Sequence, residues 1–394
     1  MSADTIVIVG MSRTPMGGFQ GDFASVTSTE LGSVAIKGAL DQSGVVADDI
    51  DEVYMGCVLP AGLGQAPARQ AAIGAGLALN TASTTVNKMC GSGMEAVRLA
   101  INNLKAGTSN IIIAGGMESM SNAPYLLPKM RSGARLGHAE TKDHMFLDGL
   151  EDAYDKGKLM GVFAEKTAEK YSFSREAQDT FAITSLKRAN QAIENGYFKD
   201  EITPVTVKSR KGETVFDTDE QPGKARPEKI PTLRPAFTKD GTVTAANASS
   251  ISDGASALVI MTASEAKKRG LKPIAKIAGH SVHSQEPNWF TTAPVGAMKK
   301  LYAQTGWSDD DVDLYEINEA FAVVTMAAMH DLNLSHEKVN VHGGACALGH
   351  PIGSSGSRVI VTLISALKTH NKKRGIASLC IGGGEATAVA VELM

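Results

Sequence analysis

The sequence predicts an α/β protein made of two related halves with an inserted loop region. Short apolar runs typical of buried strands alternate with segments of helical periodicity toward both ends of the 394-residue chain. In each half, a glycine-rich turn with a reactive side chain precedes a helix: Cys90 in the first and His350 in the second. Because strand–helix alternation is typical of a mainly parallel sheet, we expect a duplicated α/β unit.

The first half contains three predicted strands and two predicted helices. The strands are apolar runs, and the helices have apolar residues three or four positions apart. The first helix is expected to end at Gly44, since glycine is the usual residue after a helix C-terminus. The strands cover residues 5–9, 51–58 and 110–114, and the helices cover residues 29–42 and 94–105.

The middle of the chain departs from this alternation. Residues 124–158 have no sustained period, residues 164–196 are helical, and residues 204–244 are rich in Lys, Arg, Pro, Asp and Thr. Such a region is typical of a loop-built subdomain that carries recognition. We therefore expect an N-terminal α/β half over residues 1–120, with residues 246–270 completing its sheet. We also expect a loop domain over residues 121–245 and a C-terminal α/β half over residues 271–394.

In the second half the alternation returns in a similar order. Apolar runs again predict strands, and helical spacing predicts three helices. The predicted strands cover residues 255–261, 274–277, 312–316, 339–342, 376–380 and 386–393, and the helices cover residues 295–305, 320–332 and 356–368.

Composition excludes several classes of protein. A net charge of -3 and an isoelectric point near 6.3 give no reason to expect nucleic acid or an anionic membrane as a partner. No apolar run is long enough to span a bilayer, and the first residues lack the pattern of a secretory signal. Four cysteines do not make a disulfide framework in so long a chain. We therefore expect a cytoplasmic protein.

Cys90 lies in the segment Met-Cys-Gly-Ser-Gly at residues 89–93, directly before a predicted helix. A thiol there experiences the positive end of the helix dipole, which favours the thiolate. The free N–H groups of the first helical turn can also bind an oxyanion. The alternative is a buried, inert cysteine, which is common for free cysteines. The flanking small residues favour the reactive interpretation, because a core position does not need so open a backbone.

His350 and Cys380 lie in two further glycine-rich segments. An imidazole with its ordinary pKa of about 6.5 can exchange a proton with a thiol, and a solvated loop histidine is the alternative. A second thiol is unnecessary in a hydrolase, so Cys380 indicates a second acid/base step. Core packing and a metal site are its alternatives. The absence of a Cys-x-x-Cys pair argues against structural zinc.

Asn318 begins the segment Asn-Glu-Ala-Phe at residues 318–321, where a predicted strand passes into a helix. On the residues alone, capping of that helix is the leading interpretation. In the alternative, the side-chain amide holds a water molecule or a carbonyl oxygen in the site.

Together and in order, these segments resemble the thiolase family, and more closely its biosynthetic branch. Residues 86–93 are similar to the nucleophile segment, 318–321 to the Asn-Glu-Ala-Phe motif, 343–353 to the histidine loop and 380–384 to the second-cysteine loop. Residues 114–121 and 241–249 also resemble segments of this family. The match covers essentially the whole chain. It implies two α/β halves in five layers, α-β-α-β-α, with a loop domain over a coenzyme A site.

The resemblance also implies a reaction, the reversible Claisen condensation of two acetyl-CoA molecules to acetoacetyl-CoA and CoA. Cys90 would carry the acyl group after activation by His350, and Cys380 would be the general acid/base at the α-carbon of the second acetyl-CoA. The N–H groups of Cys90 and Gly382 would form one oxyanion hole. His350 and a water held by Asn318 would form another. CoA and acyl-CoA are substrates, and neither a metal nor a redox cofactor is implied.

The expected substrate pocket and assembly follow from the same resemblance. Ser249 would contact the pantetheine arm beside Ala248, and Phe163 and Phe290 would line the pocket. A homotetramer, a dimer of dimers, is implied, with residues 124–143 as its tetramerisation loop.

Three departures from the family pattern stand out. Ser250 occupies a position often filled by glycine, residues 219–223 lack the tyrosine of potassium-responsive relatives, and Glu385 follows the glycines where relatives have methionine or alanine. The glycine run at 382–384 favours the biosynthetic branch over the long-chain degradative one.

Three alternatives to the biosynthetic interpretation remain. One is a 3-ketoacyl-CoA thiolase of broader chain length in fatty-acid β-oxidation. A ketoacyl synthase is disfavoured, because that family has histidine or asparagine where Cys380 stands. A non-catalytic CoA-ester-binding protein is disfavoured by the presence of both Cys90 and His350.

Overall fold

The computed structural model describes residues 4–210 and 212–394. The strands, in chain order, are β1 (Ile6–Arg13), β2 (Gly17–Gly18), β3 (Glu52–Gly56), β4 (Ala82–Val86), β5 (Ile111–Ser119), β6 (Tyr125–Leu126), β7 (Lys142–Asp143), β8 (Val205–Ser209), β9 (Gly212–Phe216), β10 (Ser252–Thr262), β11 (Ala275–Ser284), β12 (Leu314–Ile317), β13 (Arg374–Ile381) and β14 (Glu385–Leu393). The α-helices are α1 (Ser28–Ser43), α2 (Pro67–Gly74), α3 (Ser92–Ala106), α4 (Met160–Tyr171), α5 (Arg175–Glu194), α6 (Glu220–Lys224), α7 (Ala263–Lys268), α8 (Ala293–Thr305), α9 (Ala322–Leu332), α10 (Ala345–Leu348) and α11 (Ser355–Thr369). Among the described residues, no helix is both long and apolar enough to cross a membrane.

The two halves repeat one strand order. In the first half β4, β3 and β5 lie parallel, and β10 and β1 then follow antiparallel. In the second half β12 and β13 lie parallel, and β14 and β11 then follow antiparallel. The strand expected at residues 339–342 is reduced to one parallel bridge between Tyr315 and Val339, at the position that β4 occupies in the first half. The predicted duplication is therefore confirmed, but the mainly parallel sheet is wrong, because antiparallel pairs outnumber parallel ones among the described strands of this sheet.

Side chains of alternate strand residues face opposite layers, as the two-residue period of a strand requires. In β5, Ile112 packs into a central core, whereas Ile111 and Ile113 pack against α1 and α2. In β14, Val389 faces the same central core and Ala390 packs against α8. The central core contains α3 and α11, and β1 joins β11 edge to edge. The layers therefore run α-β-α-β-α, as predicted.

The N-terminal ends of α3 and α11 meet almost backbone to backbone in the central layer. A Cβ atom on Gly93 in α3 would lie 2.6 Å from Ser357 Oγ and 2.8 Å from Ser357 N in α11. A Cβ atom on Gly356 would overlap the backbone of Met94. Real Cβ atoms do not approach other heavy atoms so closely, so both positions require glycine. The turns that precede the two helices are thereby brought side by side.

The inserted region leaves the sheet after β5 and returns at β10, which lies between β1 and β5. It carries α4, α5, α6 and the hairpin of β8 and β9. The segment expected to be helical over residues 164–196 forms two helices, α4 and α5, with a break between them. Ser172 has a left-handed φ of 55°, and the Ser174 side chain accepts a hydrogen bond from the Ala177 N–H as the N-cap of α5. The domain boundaries at residues 120, 245 and 270 stay predictions.

A buried ion cluster fastens the inserted region to the end of β1. The Arg13 guanidinium donates to both carboxylate oxygens of Asp219, at 2.7 and 2.9 Å, and also pairs with Glu201. The Phe198 ring lies 4.8 Å from the same guanidinium. All the charged side chains here are fully buried, so each charge depends on its partner to offset the cost of leaving water. The inserted region therefore docks in one position.

Replacing Gly356 with alanine should destabilise the protein. The added methyl group overlaps Met94 and forces the two central helices apart, at a cost of about 2–3 kcal/mol. Urea unfolding followed by circular dichroism measures this cost. Gly223→Ala is the matched control, because that glycine is exposed in α6 with nothing within 4 Å of its Cβ position. The control should leave stability unchanged or raise it slightly, and equal effects of the two substitutions would contradict the packing argument.

Candidate active site

Cys90 lies in a tight turn between β4 and α3. Met89, the preceding residue, has a left-handed φ of 47°, which is uncommon for any residue with a side chain. The Ser92 hydroxyl closes the turn, because it accepts from the Lys88 N–H at 2.9 Å and donates to the Met89 carbonyl at 2.6 Å. Cys90 is thereby placed directly before the N-terminus of α3, partly exposed.

Two backbone amides act on the Cys90 sulfur. Burial raises the pKa of this thiol, and the N–H groups of Gly382 and of Cys90 itself counteract the rise by hydrogen bonding to the thiolate. One amide comes from each half of the protein. Donors that stabilise a negative sulfur can equally stabilise the oxygen anion of a group bound to that sulfur.

His350 follows α10 and is positioned by a glycine with positive φ. Gly349 has a φ of 104°, and a side chain there would overlap Ser252. The His350 Nδ1 lies 2.5 Å from the Ser355 hydroxyl oxygen, and that hydroxyl donates its single proton to the Pro351 carbonyl. In the tautomer in which Ser355 donates its proton to Pro351, Nδ1 carries the imidazole proton and donates it to Ser355 Oγ. Nε2, which has no hydrogen-bond partner among the described residues, is left as a proton acceptor in that tautomer.

Electrostatics keep His350 neutral. Burial, with a further contribution from the charge of Arg358, lowers the pKa of His350 to about 3. At neutral pH the imidazole therefore has a free lone pair on Nε2, which is the state needed to accept a proton from a thiol.

Cys380 ends β13 and is fully buried. Its apolar surroundings include Phe163, Phe290 and Ala248. Burial and the nearby charge of Cys90 raise the pKa of the Cys380 thiol well above its usual value. The two thiols are therefore close enough to interact electrostatically, although their residues come from different halves.

A cavity of about 350 Å³ joins most of the residues that the sequence singled out. Cys90, His350 and Gly382 line it together with Ala248, Ser249 and Phe290. Cys380 and Phe163 lie behind this wall, and the Phe163 ring packs edge to face on Phe290 with centroids 6.5 Å apart. The rest of the wall is largely apolar: Met89, Phe146, Leu150, Leu159, Met160, Ala236, Phe237, Ile251, Phe321 and Ile352.

Asn318 is buried outside the wall of this cavity. The capping interpretation is wrong, since α9 begins at Ala322 and Phe321 occupies the N-cap position. The Asn318 Oδ1 instead accepts a hydrogen bond from Arg358 Nη2 at 3.3 Å. That bond fixes the orientation of the amide, and the Nδ2 donor has no hydrogen-bond partner in the part of the chain that the structure describes. The amide is therefore free to donate to a water or a substrate oxygen.

A buried carboxylate holds the histidine loop against the first half. Glu118 at the end of β5 accepts from the N–H groups of Val58, Leu59 and Gly353, at 2.9, 3.1 and 2.9 Å. Burial raises the pKa of Glu118 to about 7, although these donors oppose the rise. Gly353 is three residues from His350, so the carboxylate helps to set the position of that loop.

Sequence reasoning missed three residues that orient the site: Ser355, Arg358 and Glu118. Ser355 follows His350 by five residues, at the start of α11. A hydroxyl so near in sequence is a signal from which a hydrogen bond to the imidazole can be predicted. Arg358 is one turn further along α11, and nothing in its local pattern indicates a buried role. Among the described residues, no group of three or more His, Cys, Asp or Glu side chains is arranged to hold a metal ion.

The chain matches two family descriptions that together span nearly all of it. Residues 6–264 match the thiolase N-terminal domain, and residues 271–393 match the thiolase C-terminal domain. An acetyl-CoA acetyltransferase of Schizosaccharomyces pombe is 49% identical over 389 residues, covering 98% of each chain.

Solved structures have the same fold. The crystal structure of the Bacillus anthracis acetyl-CoA acetyltransferase superposes with a TM-score of 0.97 at 41% identity, covering 100% of this chain and 99% of that one. A thiolase from Ascaris suum in complex with coenzyme A superposes with a TM-score of 0.94 at 40% identity, covering 99% of this chain and 100% of the other. This chain belongs to the thiolase family.

Proposed function

We propose that this chain is an acetyl-CoA C-acetyltransferase, which condenses two acetyl-CoA molecules to acetoacetyl-CoA and CoA and catalyses the reverse thiolysis. The observation that carries the proposal is the cavity in which Cys90, a neutral His350 and the Gly382 amide meet. The relatives named acetyl-CoA acetyltransferase support the same activity.

In the first half-reaction, the Cys90 sulfur attacks the thioester carbonyl carbon while His350 Nε2 takes the thiol proton. The carbonyl oxygen becomes an oxyanion, and the N–H groups of Cys90 and Gly382 are the donors available to it. The tetrahedral intermediate collapses to acetyl-Cys90. CoA leaves as a thiol after His350 returns the proton, so the half-reaction is balanced without an added acid.

In the second half-reaction, the Cys380 thiol first passes its proton to His350 Nε2, and the resulting thiolate removes a proton from the α-carbon of another acetyl-CoA. A thiol with a raised pKa gives a strong base once it is deprotonated, which suits a weakly acidic C–H bond. The resulting enolate is stabilised by His350 Nε2–H and by a water on Asn318 Nδ2. Its carbon attacks the acetyl-Cys90 carbonyl, and the Cys90 thiolate leaves and takes the proton from His350 Nε2, which restores the starting state of the site. The steps use only side chains and thioesters, so we propose that no metal or redox cofactor takes part.

The shape of the cavity favours short substrates. Ala248, Ser249 and Phe290 form a narrow, mostly apolar wall that suits a pantetheine arm, with Phe163 supporting Phe290 from behind. A volume of about 350 Å³ accommodates that arm and a short acyl group. A long acyl chain would need additional space. This favours acetyl-CoA and acetoacetyl-CoA over the broader 3-ketoacyl-CoA alternative.

We also propose a homotetramer, a dimer of dimers, located in the cytoplasm. Residues 124–143 expose large apolar side chains, and Leu136 is 98% and Tyr125 70% exposed. Exposed apolar groups clustered on one loop are typical of an interaction surface. All four cysteines are free, which suits a reducing compartment.

Replacing Cys90 with alanine should abolish thiolysis, because no other group can carry the acyl chain. We expect a loss of at least about 1,000-fold in kcat, as for the loss of other covalent nucleophiles. The assay mixes acetoacetyl-CoA with CoA and follows the loss of enolate absorbance. Cys346→Ala is the thiol control and should retain activity. Absence of turnover in the unaltered protein, or undiminished turnover in Cys90→Ala, would contradict the proposal.

Replacing Cys380 with alanine should separate the two half-reactions. Acetyl transfer from acetyl-CoA to Cys90 should persist, while condensation falls by about 100- to 10,000-fold through loss of the base. Mass spectrometry of the protein after mixing with acetyl-CoA detects the added acetyl group. Failure to form acetyl-Cys90 in this variant would show that Cys380 is needed in the first step instead.

Acetylation of Cys90 should continue as the pH falls through 6.5. A free imidazole becomes protonated there and loses its ability to accept a proton, but burial keeps His350 neutral down to a pKa of about 3. Single-turnover acetylation by acetyl-CoA, measured by mass spectrometry between pH 5 and 8, tests this. Circular dichroism at each pH provides the control for folding. A decline in rate centred on pH 6.5 would contradict the neutral state of His350.

A further inference from the structure

We propose that the ion pair between Lys88 and Glu385 is a clamp that holds the Cys90 turn against the glycine hairpin of Gly382. The pair spans 297 residues of sequence and joins the two halves of the protein. Its role rests on the proposed function, because its effect is on the two amides offered to the acyl oxygen. Lys88 and Glu385 are therefore positioning residues.

The lysine end of the clamp belongs to a rigid turn. The Lys88 N–H bonds to Ser92 Oγ at 2.9 Å, and the Lys88 carbonyl accepts from the Gly91 N–H at 3.0 Å. Both bonds span Cys90, because they join Lys88 to the residues that follow Cys90 in the turn. A displacement of Lys88 therefore displaces Cys90 and its amide.

The glutamate end belongs to a hairpin whose tip, Gly382 and Gly383, has little packing of its own, whereas Gly384 packs closely against Gln285 and Pro287. Glu385 pairs with Ile381 across the three-glycine turn between β13 and β14. Gly383 and Gly384 have φ of 95° and 91°, and no atom lies within 4 Å of a Cβ position on Gly383. At Gly382 only the Met160 sulfur comes near, at 3.5 Å. The tip of the hairpin, which carries the Gly382 amide, is therefore positioned mainly by contacts at the base of the hairpin.

Three polar contacts hold the base of the hairpin. The Gly384 carbonyl accepts from the Gln285 N–H at 2.8 Å, which fixes the hairpin within the second half. Glu385 accepts from Ser284 Oγ at 3.2 Å through one oxygen and pairs with Lys88 through the other. Ile381 at this base also packs against Gly91, but among the described residues the contact with Lys88 is the one charged link from the base to the Cys90 turn. The charge at position 385, which departs from the family pattern, thus has a structural partner.

Because the pair is partly exposed, we expect the clamp to have a moderate effect on kcat that depends on salt concentration. The Lys88 and Glu385 side chains are 25% and 33% exposed, so water and ions screen their attraction. The screening length falls from about 30 Å at 0.01 M salt to about 3 Å at 1 M. The clamp should therefore matter most at low ionic strength.

A charge-swap series tests the clamp. Lys88→Glu and Glu385→Lys should each lower kcat for thiolysis of acetoacetyl-CoA by about fivefold at low salt, with the KM for CoA nearly unchanged. The double variant, with both charges exchanged, should recover to within about twofold of the unaltered protein. In 1 M salt the differences should shrink. Lys338→Glu is the matched control, because Lys338 and Asp309 form a pair of similar exposure, 32% and 34%, elsewhere on the surface.

Each possible result has a defined meaning. Single variants as active as the unaltered protein, or a double variant without recovery, would overturn the clamp. A rise in KM alone, without recovery in the double variant, would mean that Lys88 contacts the substrate, and would overturn it too. Urea unfolding midpoints show whether a loss of kcat reflects unfolding. If the unaltered protein itself shows no thiolysis, the proposed function fails and not the clamp.

Discussion

The close approach of α3 and α11 is the constraint on which the rest of the structure depends. The two helices belong to different halves, yet Gly93 and Gly356 let their first turns touch without intervening side chains. Each helix is preceded by a turn with a reactive group, so contact between the helices brings Cys90 and His350 to one cavity. Duplication of the α/β unit supplied two equivalent turns, and the glycines allow both to serve one site.

Charged groups at the borders between the halves then refine this arrangement. Glu118 from the first half binds the loop of His350 through Gly353, and Lys88 pairs with Glu385 beside the Gly382 hairpin. These interactions differ in the free energy that it costs to bury their charges. The three N–H partners of the buried Glu118 offset part of the cost of burying its charge, and without them the pKa of this carboxyl would rise further above about 7. The partly exposed pair of Lys88 and Glu385 costs little to bury and adds little to stability, so it affects position more than folding.

The sequence predicted the fold more completely than the site. Strands, helices and the duplication follow from local periodicity, which tertiary contacts here reinforce. The break at Ser172 was missed because one left-handed residue interrupts a helix without disturbing the apolar pattern. At the site, Cys90 and His350 stood out through their glycine-rich flanks. The role of Arg358 depends on contact with Asn318, 40 residues away, and periodicity within one segment contains no such information.

The position of β10 has a consequence for synthesis of the chain. Because β10 pairs with both β1 and β5, the first sheet has a gap until residue 262 has left the ribosome. For the whole time that the inserted region is being made, β1 and β5 each present an unpaired apolar edge. Such edges are templates for pairing with other chains, and domains that expose them while incomplete depend on chaperones. The inserted region, which contributes to the wall of the cavity, therefore delays completion of the first sheet while the chain is being synthesised.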